Sequence, residues 1–314
     1  MMMTFIKKSS MRIASLFSLL ALALLIVSAA TLAQAQSSSA NAQPSSASGG
    51  SSSSDGIALA PARFELEMSP GSETTVVVNL DYHTTKAEAR PYRLVASLND
   101  WNMSRNGELI FYKAGTRPDS ASPWIIYSPS EVTAQPGQTH SIRVTISVPK
   151  EATPGDHLAA LIIEQRPDTI KLNANARQML MRFRMAAIFY IMVPQLTRKG
   201  TLTNLQAAVE QNGIVVTPTL KNAGNSMIRP ISSLKIIDSR DRTVAESPEA
   251  ESLPILGGSE LSQPLRIEKS LPPGAYTVRY RVDFQNGGKV EEGVTDLIVK
   301  DSLASKPAAA SPAQ

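Results

Sequence analysis

"SIRVTISVP", Ser141 to Pro149, alternates without exception. Ile142, Val144, Ile146 and Val148 fall on one side, and Ser141, Arg143, Thr145 and Ser147 on the other. Successive side chains of a β-strand point to opposite faces, so a two-residue period predicts a strand with one buried face. The same period extends outward in both directions. "TTVVVNL" (74–80), "YRLVASL" (92–98) and "HLAALIIEQ" (157–165) read as strands, as do "GIVVTPTL" (213–220), "SSLKIID" (232–238), "AYTVRYRVDF" (275–284) and "VTDLIVK" (294–300). In the seventh of these eight runs, Val278, Tyr280, Val282 and Phe284 form the inward face.

No amphipathic helix is legible between these runs. Pro-Gly pairs open several of them, in "MSPGSE" (68–73), "AQPGQT" (134–139), "ATPGDH" (152–157) and "LPPGAY" (271–276). Proline presets φ and glycine accepts the turn geometry. Short strands separated by turns predict an all-β chain of antiparallel sandwiches. "VPKEATPGDHLAAL" and "KSLPPGAYTVRY" echo one another, which predicts two β-sandwich domains, 57–196 and 197–300.

The ends have a different composition. Lys7, Lys8 and Arg12 precede an apolar run that closes on Ala33-Gln34-Ala35, the pattern of a secretory signal peptide over 1–35. A retained membrane anchor is the alternative, because the apolar run is long for such a leader. No cysteine follows it, which excludes a lipoprotein anchor. Residues 36–56, about half of them serine, predict a disordered linker, and 301–314 a disordered tail. The leader holds three of the 31 basic residues, leaving 28 against 27 acidic ones. That balance argues against nucleic acid as a partner. Export to an oxidising compartment permits disulfides without requiring them, and the chain has no cysteine.

One stretch stands apart. "MLMRFRMAAIFYIMVPQ", Met179 to Gln195, is apolar at almost every position. A helical membrane span needs about 20 apolar residues; this run is shorter and contains Arg182 and Arg184. As a strand it carries an unbroken apolar row, Met179, Met181, Phe183, Met185, Ala187, Phe189, Ile191 and Val193, and a mixed row between. Fifteen residues at about 3.3 Å each reach roughly 50 Å, against a usual strand of about five or six residues. Either part of it runs along an edge or between domains, or it is two strands joined by a bulge near Ala186-Ala187. An apolar edge invites another chain to pair with it. Met179, Met181, Phe183 and Met185 are the candidate client-strand binding residues, since flexible thioethers adapt to varied surfaces. A one-residue slip would exchange the two rows.

"IALAPARFEL" (57–66), then "WIIYSPSEVTAQPGQTHSIRVTISVP" (124–149), then a long strand ending "FYIMVPQL" (189–196), resemble the periplasmic pilus-assembly chaperones. The resemblance covers roughly 57–196; "TLKNAGNSMIRP" and "LPPGAYTVRY" fit the second domain less specifically. It implies two immunoglobulin-like β-sandwich domains and a non-enzymatic chaperone of pilus or fibre subunits, which lends its long strand to a subunit and meets an outer-membrane usher. It further implies two basic residues that hold the subunit's terminal carboxylate. Arg63 corresponds to the first of these; the position of the second falls on Ala187. Arg184 lies three residues away, on the opposite face of a regular strand. The first-domain pattern is also similar to bacterial immunoglobulin- or fibronectin-like surface modules, some of which bind cell wall.

Other chemistry is thin. His83, His140 and His157 lack metal-ligand spacing and read as surface residues, so no metal and no cofactor are expected. No nucleophile elbow, phosphate loop or dinucleotide fingerprint is present. Asp100, Glu108 and Glu164 cannot be paired in space from sequence. Trp101 and Trp124 read as core side chains, with a sugar-binding surface as the alternative.

Overall fold

The alternation at Ser141–Pro149 becomes a central strand because its apolar row has a second sheet to face. Ile142, Val144, Ile146 and Val148 are buried, whereas Ser141, Arg143 and Ser147 are exposed. In the computed structural model the described residues are 56–166, 183–210 and 213–300. The expected leader, the linker up to residue 55, the tail, and Met179 and Met181 lie outside them.

Among the described residues, ten strands build the first sandwich: β1 (Gly56–Ala60), β2 (Arg63–Glu67), β3 (Glu73–His83), β4 (Tyr92–Met103), β5 (Leu109–Lys113), β6 (Ile125–Ser128), β7 (Glu131–Ala134), β8 (Thr139–Ser147), β9 (Gly155–Gln165) and β10 (Arg184–Val193). One sheet has the order β1-β3-β8-β6 and the other β2-β10-β9-β4-β5, with β7 also on β4. Eight more form the second: β11 (Gly200–Glu210), β12 (Gly213–Asn222), β13 (Ile231–Asp238), β14 (Thr243–Glu251), β15 (Glu260–Ser262), β16 (Leu265–Ile267), β17 (Gly274–Asp283) and β18 (Glu291–Val299). There the sheets run β11-β12-β15, with β16 on β12, and β14-β13-β17-β18. Both halves have the crossed-over strand order of immunoglobulin-like sandwiches. Among the described residues the only helical element is a short 3-10 turn, Ser122–Trp124.

The first strand changes sheets. β1 pairs antiparallel with β3, and after Pro61 and Ala62 the chain continues as β2, parallel to β10. Proline has no N–H to offer a ladder, so pairing with β3 stops there. β2 aligns Arg63 with Ile188 and Glu67 with Met192. β10 runs antiparallel to β9 from Arg184 opposite Glu164 to Val193 opposite Gly155, with no shift of register. The bulge considered near Ala186-Ala187 is therefore absent.

The two rows of β10 serve different neighbours. Ala187, Phe189, Ile191 and Val193 sit inside the first sandwich, with Phe189 stacked on Phe64 at 4.8 Å. On the outer row, Tyr190 joins Trp101, Leu158, Ala160 and Ile162 in a separate apolar cluster, closed by Met227 and Leu256 of the second sandwich. Backbone bonds reinforce that junction: Asp156 N–H donates to Asn225 O at 2.9 Å, and Ser262 N–H to Arg105 O at 2.7 Å. Gly155 allows the approach. Its φ is +122°, and a Cβ there would lie 2.9 Å from Asn225 O.

Candidate functional site

Ile188 N–H donates to Ala62 O at 2.9 Å, so even-numbered residues of β10 direct their backbone groups toward β2. β2 pairs only with Ile188 through Met192. For Arg184 and Ala186, among the described residues, no strand occupies that flank, although β9 pairs with both on the other side. Among the described residues the N-terminal end of β10 is thus an edge, and its C-terminal end is interior.

Burial follows the same gradient. Ala187, Phe189 and Ile191 are 0% exposed, while Phe183 and Met185 of the same row are only half-buried. Phe183 meets Tyr92 edge-on at 5.5 Å. The sandwich core runs out upstream of Ile188, where β2 no longer pairs with the strand. Any strand added beside Arg184 and Ala186 would continue the sheet over Phe183 and Met185. On the outer row Arg184 bonds Glu164 at 2.9 Å and lies over the Phe111 ring, so it is held by its own sheet.

Arg63 stands on the outer face, beside Ile188, with its side chain 57% exposed. Its Nε is 3.0 Å from Glu65 Oε1, two residues along the same face. That oxygen also accepts from Arg229 Nη2 at 2.7 Å. Arg229 is contributed by the second sandwich, just before β13, and is 16% exposed. Its guanidinium lies 5.9 Å from the Tyr190 ring centre, and its Nη1 is 3.9 Å from Glu251. Burial pushes the Tyr190 phenol up in pKa, against the opposing pull of Arg229. Ala187, at the position the resemblance gives to a lysine, faces the core and has no access to this cleft. The two basic side chains that converge are Arg63 and Arg229. Sequence reasoning missed Arg229 and Glu65, because nothing local in "SMIRP" ties Arg229 to the first domain.

His157 corrects an expectation. It is 7% exposed, packed 4.4 Å from Trp124, with Nε2 bonded to Thr153 O. It lies on β9, an interior strand whose residues from Gly155 to Ile163 are buried or half-buried. His83 is exposed. Trp101 is fully buried, edge-on to Tyr190 at 5.1 Å, and Trp124 packs partly against the first core. Neither forms an open aromatic platform.

No family model and no curated protein matches the chain. Solved structures do. The fold is similar to that of fimbrial chaperones. A chaperone–tip adhesin complex of CFA/I fimbriae is 10% identical, with TM-score 0.41, over 77% of this chain and 98% of that one. The class 5 fimbriae chaperone CfaA is 10% identical, with TM-score 0.39, over 78% and 100%. The CsuC–CsuE chaperone–tip adhesion subunit complex of Acinetobacter baumannii is 15% identical, with TM-score 0.37, over 77% and 98%.

Proposed function

We propose that this protein is a periplasmic chaperone for pilus or surface-fibre subunits that lends a client the free flank of β10. The observation that carries this reading is the change of neighbours at Ile188. Upstream of it, Arg184 and Ala186 direct backbone donors and acceptors to a side that β2 does not reach. Unpaired strand edges recruit strands, and alternate side chains then fill the partner's groove. The half-buried Phe183 and Met185 supply that apolar row, and Met179 and Met181 extend it in sequence. Flexible methionines suit clients of varied surface.

Arg63, exposed beside the strand, is the proposed anchor for the client's terminal carboxylate, a charge-assisted contact. Transfer of the client to an outer-membrane usher is the proposed next step. The test is capture. Expressed with fibre-subunit genes from its own genome, the protein should co-purify from the periplasm with a subunit. Protein that pellets with peptidoglycan and never retains a subunit is instead a cell-wall-binding module.

A further inference from the structure

Glu65 already sits where a ligand carboxylate would go. One of its oxygens, Oε1, receives Arg63 Nε at 3.0 Å and Arg229 Nη2 at 2.7 Å. The contact with Arg229 is incomplete. Arg229 Nε is buried and, among the described residues, has no hydrogen-bond partner, although Nε and Nη2 lie on the same edge of a guanidinium and can hold both oxygens of one carboxylate. Leaving a buried donor unpaired carries a penalty that a two-oxygen ligand would remove. Beside the arginine pair, the half-buried Ile188 offers an apolar side chain on the same face, and the Tyr190 ring lies buried next to it. A carboxylate attached to an apolar residue matches that combination.

We propose that Glu65 is an internal competitor for the Arg63–Arg229 carboxylate subsite, displaced when the terminal carboxylate of a polypeptide binds. That the ligand is a client's chain terminus rests on the chaperone reading; the competition does not. Glu65 is tethered on β2, two residues from Arg63, so its effective concentration at the pair is about millimolar or higher. Isolated small acids therefore displace it poorly. A client that also pairs along β10 brings its terminus at a comparable effective concentration and can win the exchange. The arrangement keeps two arginines compensated by Glu65 and reserves them for a ligand engaged at both places.

The probe is N-acetylphenylalanine, with N-acetylphenylalaninamide as control, titrated into the full mature protein by calorimetry or by NMR. Parent protein should bind the acid weakly. Glu65→Gln should bind it at least about tenfold more tightly and leave the amide unbound, and adding Arg229→Ala should abolish the gain. Glu65→Asp, which keeps the charge on a shorter arm, should give a smaller gain and covers the case in which Glu65→Gln fails to fold. Unchanged or weaker acid binding in the folded Gln or Asp variant overturns the proposal, because it would make Glu65 a strut between the sandwiches. Equal binding of acid and amide overturns it as well. Subunit capture reads the chaperone function separately. Acid binding that rises in Glu65→Gln, with no subunit ever captured, removes that function and leaves the competition standing. Capture through β10 with acid affinity indifferent to Glu65 removes the competition alone.

Discussion

Ile188 stands opposite Arg63 in the parallel ladder, and it is the first residue of β10 with a neighbouring strand on both sides. Everything upstream on that strand is paired with β9 alone among the described residues. The same two residues mark where the edge ends and where a charged side chain is available beside it.

Ala186→Pro isolates the edge. The Ala186 N–H points to the open flank, so proline removes a donor that the protein's own sheet does not use. Proline is tolerated on edges for this reason. The variant should stay folded, with a loss of about 1 kcal/mol or less, and should lose subunit capture. Capture at the parental level in a pull-down would remove strand lending from the mechanism.

Phe183→Asp tests the apolar row. The side chain is half-buried and its ring contact is Tyr92 at the end of the core, so stability should fall by about 1–2 kcal/mol, typical of a partly buried site. Client retention should fall much further. Chemical denaturation and co-purification on the same preparation separate the two effects.

Asp100 predicts an acid limit to stability. It is fully buried and takes five hydrogen bonds: from Gly115, Thr116 and Arg117 backbone N–H and from the Ser120 and Ser122 hydroxyls, at 2.5–3.1 Å. Burial alone would raise its pKa, but the hydroxyl and backbone donors outweigh it and hold the carboxyl below the usual range. A folded pKa below the unfolded one stabilises the fold above about pH 4 and loses that contribution as pH drops through the folded value. Asp100→Asn turns an amide NH2 toward two or three donors and should cost about 3 kcal/mol or more, measurable by urea denaturation. Its deficit against the parent should shrink toward pH 2.

Asp156 behaves in the opposite sense. Its Oδ2 accepts Met227 N–H at 2.5 Å across the junction, and burial pushes its pKa up against that bond and the charges of Arg198 and His157. A raised pKa favours the neutral acid in the fold, so stability declines as pH rises through the folded value. The substitution Asp156→Asn keeps a carbonyl acceptor and removes the charge. The melting temperature of that variant relative to the parent should therefore move in the variant's favour from pH 4 to pH 8. An unchanged difference would mean that the carboxyl titrates alike in both states.

The strands were legible because alternation is local. Ile142 to Val148 and Val278 to Phe284 announce their buried face within nine residues, and the sandwich class follows from that period and the turns. The apolar row from Phe183 to Val193 was legible in the same way. His157 was not, because its burial depends on its falling on the inner row of β9, beside Ile191, where Trp124 from a distant segment packs against it.

Sequence by itself determined that this chain folds into two sets of mainly antiparallel sheets and that one strand is unusually apolar. Tertiary structure decided which part of that strand has a free side, because the flank depends on where β2 begins after Pro61. It also decided that Glu65 lies between Arg63 and an arginine of the other sandwich. Side-chain period is written residue by residue along the chain, whereas edge, register and charge pairing are properties of segments that meet only after folding.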